Sequence, residues 1–376
     1  MTARPAALTA APSTSLPPVP KSTATKSALV IAPQWVGDAI VSLPLIAQLR
    51  REYAAVDVLV MSGVAAVYQA CPDVREVIAL PFQHGALQWF LRRKTAAQIK
   101  GRYETAVVLP NSLKSALIPW LAGIPIRRGM LGEHRYLLLN DRRSPPPQTG
   151  HGRPSMLAHY LSLADHPTPF QSIDAAGEHR PRLVAASCPV ATAVPEGPLL
   201  MLCPGAEYGP AKQWPAEHFA ALGRQWIAQS PDHHVVILGG PKDIAVGTAI
   251  QEYMATAGQS PERVMNLCGK TSLTEAFGWL SHATVVVSND SGLMHAAAAL
   301  DVPVVGLFGS SDPDHTPPLS PKAVALSLRL SCSPCFERNC PLGTTACLRD
   351  LSPDHVQRAV RDVQSIAPFT TVNHSP

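Results

Sequence analysis

Apolar residues fall in short unbroken runs rather than in alternation. Ala28 to Ala32, Val56 to Met61, Ala106 to Leu109, Leu199 to Cys203, Val235 to Leu238, Thr284 to Ser288 and Val304 to Phe308 each read as a strand buried on both faces. Helical spacing fills the intervals, after a loop holding Gly37 from Asp38 to about Tyr53, then over Ala216 to Gln229, Ile244 to Ala257, Leu273 to Ser281 and Gly292 to Leu300. A last helix opens at Ser352-Pro353, with proline in its first turn. Strands alternating with helices predict parallel sheets covered on both sides. A Pro-rich, weakly patterned stretch from about Pro167 to Gly197 interrupts the series, and the same pattern then restarts. The fold class is therefore α/β, with two doubly wound, Rossmann-like units facing a central cleft. In such units a site lies at the carboxyl ends of the strands.

The expected division is a disordered tail rich in Ala, Pro, Ser and Thr over 1–26 and a first Rossmann-like domain over 27–170. A linker follows over 171–197, a second Rossmann-like domain over 198–350, and a C-terminal helix and tail over 351–376. The length of 376 residues agrees with two domains. With 46% apolar and 15% charged residues the chain is globular, and a formal charge of +4 is too mild for a general nucleic-acid binder. No apolar run reaches the length of a membrane span, and the N-terminus lacks the apolar core of a secretory signal, so a cytoplasmic location is expected. Charge is uneven, however. From Arg92 to Arg143, Arg92, Arg93, Lys94, Lys100, Arg102, Lys114, Arg127, Arg128, Arg135, Arg142 and Arg143 face only Glu104, Glu133 and Asp141, which suits an anionic partner.

The sharpest motif is SNDSGLMHAAAALDVPVVGLFG, Ser288 to Gly309. A strand ends at Asp290 and a helix opens at Ser291-Gly292, where free amides and the dipole bind phosphate oxygens. Gly292 permits close approach, Ser291 adds a hydroxyl, His295 lies one turn further on, and Asp290 is placed to accept from sugar hydroxyls. Simple helix capping by Asp290 or Ser291 reads equally well from these residues alone. CPGAEYGPAKQWP, Cys203 to Pro215, is a second strand–loop–helix crossing, with Lys212 as a point charge for phosphate. Asp243, beyond the glycine pair of LGGPKD, suits either ribose hydroxyls or an N-cap. In PQWVGDAIVSLP, Pro33 to Pro44, Asp38 stands at the cleft edge as a candidate general base; a plain helix-start acid is the alternative.

Eight cysteines are present, four of them clustered as CSPCFERNCPLGTTACL. At Cys332, Cys335, Cys340 and Cys347 the spacing leaves three readings open: a structural zinc or iron–sulfur site, labile disulfides, or free thiols ordering a loop.

These segments, with PNSLKSALIPWLAGIPIRRG (Pro110 to Gly129) and RYLLLNDRR (Arg135 to Arg143), resemble the lipopolysaccharide heptosyltransferases of glycosyltransferase family 9, of the second type. The similarity runs from about Ala28 to Val360. It implies a glycosyltransferase B fold, with the acceptor in the first domain and ADP-heptose in the second. The reaction implied is inverting transfer of heptose onto heptosyl-Kdo2-lipid A. By resemblance Asp38 is the catalytic base and Lys212 neutralises the donor diphosphate, which Ser291, Gly292, Leu293 and His295 hold. Asp290 would hold the heptose and Asp243 the ribose, with adenine near Lys270, Thr271, Ser272 and Leu273. No cofactor is required on this reading. Peripheral contact with the anionic cytoplasmic face of the inner membrane is expected, and no nucleic-acid partner. A first-type or later-acting core heptosyltransferase is the nearest alternative; a non-catalytic metal- or redox-sensing protein on the same scaffold is a remote one.

Overall fold

The computed structural model describes residues 26–83, 85–147, 153–169, 177–190, 192–256 and 261–365. Apart from Lys26, the tail read as disordered lies outside these residues, as do parts of the stretch read as a linker and the last eleven positions. Two six-stranded sheets are present. The first contains β1 (Ser27–Ile31), β2 (Ala55–Met61), β3 (Glu76–Leu80), β4 (Thr105–Val108), β5 (Ile126–Met130) and β6 (Asp141–Arg143). The second contains β7 (Leu199–Cys203), β8 (His234–Ile237), β9 (Val264–Asn266), β10 (Val285–Asn289), β11 (Val304–Leu307) and β12 (Ala323–Leu326). Their orders are β3-β2-β1-β4-β5-β6 and β12-β11-β10-β7-β8-β9, which is one topology used twice. All pairings are parallel; Val30 lies beside both Val58 and Val107, and Val287 beside both Leu202 and Val305. Strand order reverses beside β1 in the first sheet and beside β7 in the second, the points where doubly wound sheets open a crevice.

The central strands are those the apolar runs predict. The unread ones are mostly edges: β3 is half-exposed, β6 reads Asp-Arg-Arg, and β5 carries Arg127 and Arg128 inside it. The helical pattern from Asp38 to Tyr53 is in fact two helices, Val36–Val41 and Leu43–Glu52, so that Gly37 lies inside the first rather than in a loop. Pro44 explains the break, since it has no N–H to donate back to Ile40 and its ring crowds that turn. At the break the Ser42 amide bonds the Ile40 carbonyl, and the Ser42 hydroxyl bonds the Ala39 carbonyl at 2.7 Å.

One apolar core joins the two halves. It runs from Val30 and Val58 through Ala39 and Ile40 to Met294, Ala298, Met201 and Val286. The segment around Leu183 straps both halves: the Leu183 amide donates to the Ala299 carbonyl and the Val184 amide to the Ala70 carbonyl, each at 2.9 Å. The last helix, Pro353–Ser365, buries Val356, Val360 and Val363 with Trp214 and Phe219 against the second sheet.

The basic stretch from Arg92 to Arg143 is not the open cationic face that its composition suggests. Arg128 is buried and pairs with Asp141 at 2.6 Å and with Asp165. Arg143 pairs with Asp141, and Arg102 with Glu76. Arg135 is fully buried, donating to the carbonyls of Pro110 and Met130 and to Ser115 Oγ, and Arg127 donates to the carbonyls of Leu138 and Ile124. Guanidinium groups here replace backbone partners that the loops cannot supply. Arg93, Lys94, Lys100 and Arg142 remain exposed.

Candidate active site

Two helix N-termini meet across the cleft. Val36–Val41 follows β1, and Gly292–Ala299 follows β10. They approach so closely that a Cβ on Gly292 would lie 2.8 Å from Val36 Cβ, and one on Gly37 would lie 3.1 Å from His295 Cδ2. Gly292 is therefore required by contact between the halves, which the strand–glycine–helix motif does not reveal. Neither helix start carries a side-chain cap: Ser291, at the N-cap position, has its hydroxyl 3.1 Å from Ser288 Oγ instead. First-turn amides thus point toward the cleft without a side-chain acceptor. Leu293 is half-buried against the shared core.

Around this meeting point the structure gathers Asp38, Lys212, Asp290 and His295. Lys212, in the turn Pro210–Lys212 after β7, donates to Asp290 Oδ2 at 2.5 Å, and both side chains are largely buried. His295 Nε2 lies 3.9 Å from Asp290 Oδ1. Burial lowers the His295 pKa to about 4; Asp290 opposes that shift and Lys212 adds to it, so the imidazole is neutral at neutral pH. Asp38 is half-buried at the first turn of its helix, and its carboxylate forms no ion pair among the described residues. Burial pushes its pKa up to about 6; Lys212 pulls it down and Asp290 pushes it further up. Asp38 in the first half therefore feels two charges of the second. A carboxyl group held near 6 is ionised at neutral pH yet basic enough to take a proton.

Asp243 and Thr271 stand further along the same sheet edge. β10, β7, β8 and β9 are consecutive neighbours, and the loops after them carry Asp290, Lys212, Asp243 and Thr271 in that order. Asp243 accepts the Gly240 amide at 2.8 Å and does not cap the helix Ile244–Ala255. Its carboxylate rests so close to Gly205 that a Cβ there would lie 2.4 Å away. The Gly269 amide bonds the Gly239 carbonyl at 2.9 Å, tying the Thr271 loop to the Asp243 loop.

Two supports are not apparent in the sequence. Buried Asn289 donates to the Pro204 carbonyl at 2.7 Å and accepts the Trp214 amide at 3.0 Å, clamping both ends of the Lys212 loop to β10. The cysteine-rich segment buttresses the same loop. Tyr208 donates to the Phe336 carbonyl at 2.7 Å, the Ala211 amide to the Arg338 carbonyl at 3.0 Å, and Lys212 Nζ lies 5.3 Å from the Tyr208 ring. Cys332, Cys335, Cys340 and Cys347 line one small pocket as free thiols. Among the described residues no three His, Cys, Asp or Glu side chains are placed to hold a metal, so the structure does not support the zinc-site reading. Thiols ordering a loop against Lys212 fit the geometry.

Two repeated doubly wound units facing a cleft have the architecture of the glycosyltransferase B fold. The model of glycosyltransferase family 9 (heptosyltransferase) matches residues 92–346. Lipopolysaccharide heptosyltransferase 2 of Escherichia coli K12 is 39% identical over 344 residues, covering 87% of this chain and 95% of that protein. Lipooligosaccharide heptosyltransferase 2 of Haemophilus influenzae is 38% identical over 312 residues, covering 80% and 88%. The solved structure of E. coli ADP-heptose lps heptosyltransferase II superposes with a TM-score of 0.73 at 34% identity, covering 90% of this chain and 98% of that one. The chain belongs to glycosyltransferase family 9, the heptosyltransferases.

Proposed function

We propose that this enzyme transfers heptose from ADP-heptose to the first heptose of the lipopolysaccharide inner core, heptosyl-Kdo2-lipid A, with inversion. The reading is supported by the relatives named heptosyltransferase 2 and by one feature of the site above all. A half-buried carboxylate, Asp38, is aimed from the first half at the charged cluster Lys212–Asp290 of the second. Asp38 takes the proton of the acceptor hydroxyl as that oxygen attacks the anomeric carbon, and the bond to ADP breaks with its electrons going to the diphosphate. Lys212 and the free amides at Ser291, Gly292 and Leu293 meet the growing negative charge. Neutral His295 offers a hydrogen bond without a second positive charge. Asp290, held by Lys212, accepts from heptose hydroxyls, Asp243 from the ribose, and the adenine lies along the loop of Thr271.

The acceptor lies along the first sheet, where the cleft beside Gln34, Arg92, Ser112 and Lys114 opens on the same edge as Asp38. Arg92 is buried with no carboxylate partner among the described residues, its Nη1 bonding the Lys114 carbonyl at 2.7 Å, which favours anionic groups nearby. No helix among the described residues is long and apolar enough to cross a membrane, and the lipid-borne acceptor calls for peripheral contact with the anionic cytoplasmic face of the inner membrane. The test is incubation with ADP-heptose and defined truncated lipid A–core acceptors, read by mass spectrometry. One added heptose on the mono-heptosylated acceptor, and none on the heptose-free one, is expected. The reverse pattern would assign the preceding transfer.

A further inference from the structure

We propose that the loops at the carboxyl edge of the first sheet form a docking surface that inserts apolar side chains into an anionic phospholipid bilayer. The inference rests on the acceptor assignment above and deepens it. Large apolar side chains that remain exposed are unevenly spread. Among the described residues, seven of thirteen come from the loops and helix starts after β3, β4 and β5: Leu87, Trp89, Phe90, Leu113, Leu131, Tyr136 and Leu137. Phe90 is 84% and Leu137 88% exposed, an arrangement that costs solubility and that folding alone does not require.

The three loops are bound side by side. Arg92 joins the first to the second through the Lys114 carbonyl, and the Leu113 amide donates to Glu133 Oε2 at 2.8 Å. Arg135 joins the second to the third through the carbonyls of Pro110 and Ser112. Apolar residues on loops fixed in this way form a standing surface rather than a momentary exposure.

Charge selects the occupant. The helix Trp89–Ile99 buries Arg92, Thr95, Ala96 and Ile99 and so turns Phe90, Arg93 and Lys94 outward together, one turn apart. Half-buried Lys114 adds a cation. Glu133 is the acid on this surface, and it is already engaged by the Leu113 amide. Aromatic and aliphatic side chains beside Arg and Lys suit the headgroup boundary of an anionic bilayer, where rings sit at the interface and cations meet phosphates. The geometry is productive as well: Asp38 lies on the same sheet edge, so a lipid anchored in that bilayer presents its sugars toward the base.

The test is co-sedimentation of the full chain with vesicles of phosphatidylethanolamine and phosphatidylglycerol, compared with vesicles of phosphatidylcholine alone. Binding to the anionic vesicles, weakened by added salt, is expected for the wild type. Phe90→Ser with Leu137→Ser should weaken it at least about tenfold while leaving transfer to a delipidated, soluble acceptor unchanged. Phe90→Trp should add emission, over that of the six native tryptophans in the wild type, that brominated lipid quenches. Equal vesicle binding by wild type and double variant, no binding by the wild type, or no quenching of the emission that Phe90→Trp adds would overturn the proposal. A wild-type chain that fails on the soluble acceptor would instead defeat the proposed reaction, and the vesicle result would still judge the surface.

Discussion

Both halves use the same strand order, but they equip their carboxyl edges differently. In the second half each charged site residue has a fixed partner: Lys212 holds Asp290, the Gly240 amide holds Asp243, and Asn289 clamps the Lys212 loop to β10. In the first half the buried arginines Arg92 and Arg135 spend their donors on loop carbonyls, and Asp38 carries its charge without an ion-pair partner among the described residues. The difference matches the two tasks. A small anionic donor of fixed shape is best met by prepaid electrostatics, whereas a base must keep a free lone pair for the proton it removes. The cost of that freedom falls on Asp38 as a desolvated charge.

Removing Asp38 should have the largest effect. Asp38→Ala is expected to slow turnover by about 10²–10⁴-fold while ADP-heptose affinity, measured by calorimetry, stays close to that of the wild type. More than half of the wild-type turnover would take Asp38 out of the mechanism. Lys212→Ala comes next, with a loss of about 10²-fold in turnover as well as weaker donor binding. Normal turnover at saturating donor would mean that Lys212 does not face the leaving diphosphate.

Gly292→Val separates packing from chemistry. Its side chain would collide with Val36, so a stability loss of roughly 1–3 kcal/mol is expected together with weaker donor binding. Adding Val36→Ala should return much of the stability. If turnover returned fully as well, the glycine would serve only the contact between the halves, and close approach of the diphosphate would not need it.

A smaller effect probes the cost carried by Asp38. Burial raises its pKa from 3.8 to about 6 in the folded state, so the wild type loses stability as the pH rises through that window. Asp38→Asn should therefore be more stable than the wild type at pH 8, by roughly 1–2 kcal/mol, and nearly equal to it at pH 4. Equal melting temperatures at pH 8 would show that the carboxylate is not desolvated. Smallest of all, EDTA should leave turnover unchanged. Activity lost in chelator at constant melting temperature, and restored by magnesium, would add a metal to the donor site.

Much of this was legible in the chain because buried parallel strands are written as unbroken apolar runs, and their loops as glycine, acid and helix start. Asp38, Lys212 and Asp290 stand at such crossings. Thr271 and Leu293 came through family resemblance and not through local pattern. Edge strands such as β6, which reads Asp-Arg-Arg, have no apolar signature, and two of the arginines counted toward a cationic face, Arg128 and Arg143, are absorbed by pairing with Asp141 across β5 and β6. Contacts between distant segments were equally hidden. Nothing near Gly292 announces Val36 as its neighbour, and nothing near Asn289 shows that its amide closes the Lys212 loop.

The central claim is that a carboxylate raised by burial removes the acceptor proton. It is tested most directly by the pH dependence of kcat/KM for the acceptor, measured with the soluble truncated core. The wild type should be flat at neutral and mildly alkaline pH and should fall about tenfold per unit once the pH drops below about 6, the value burial gives Asp38. A profile that stays flat well below that value, in a protein shown to remain folded, would contradict the account.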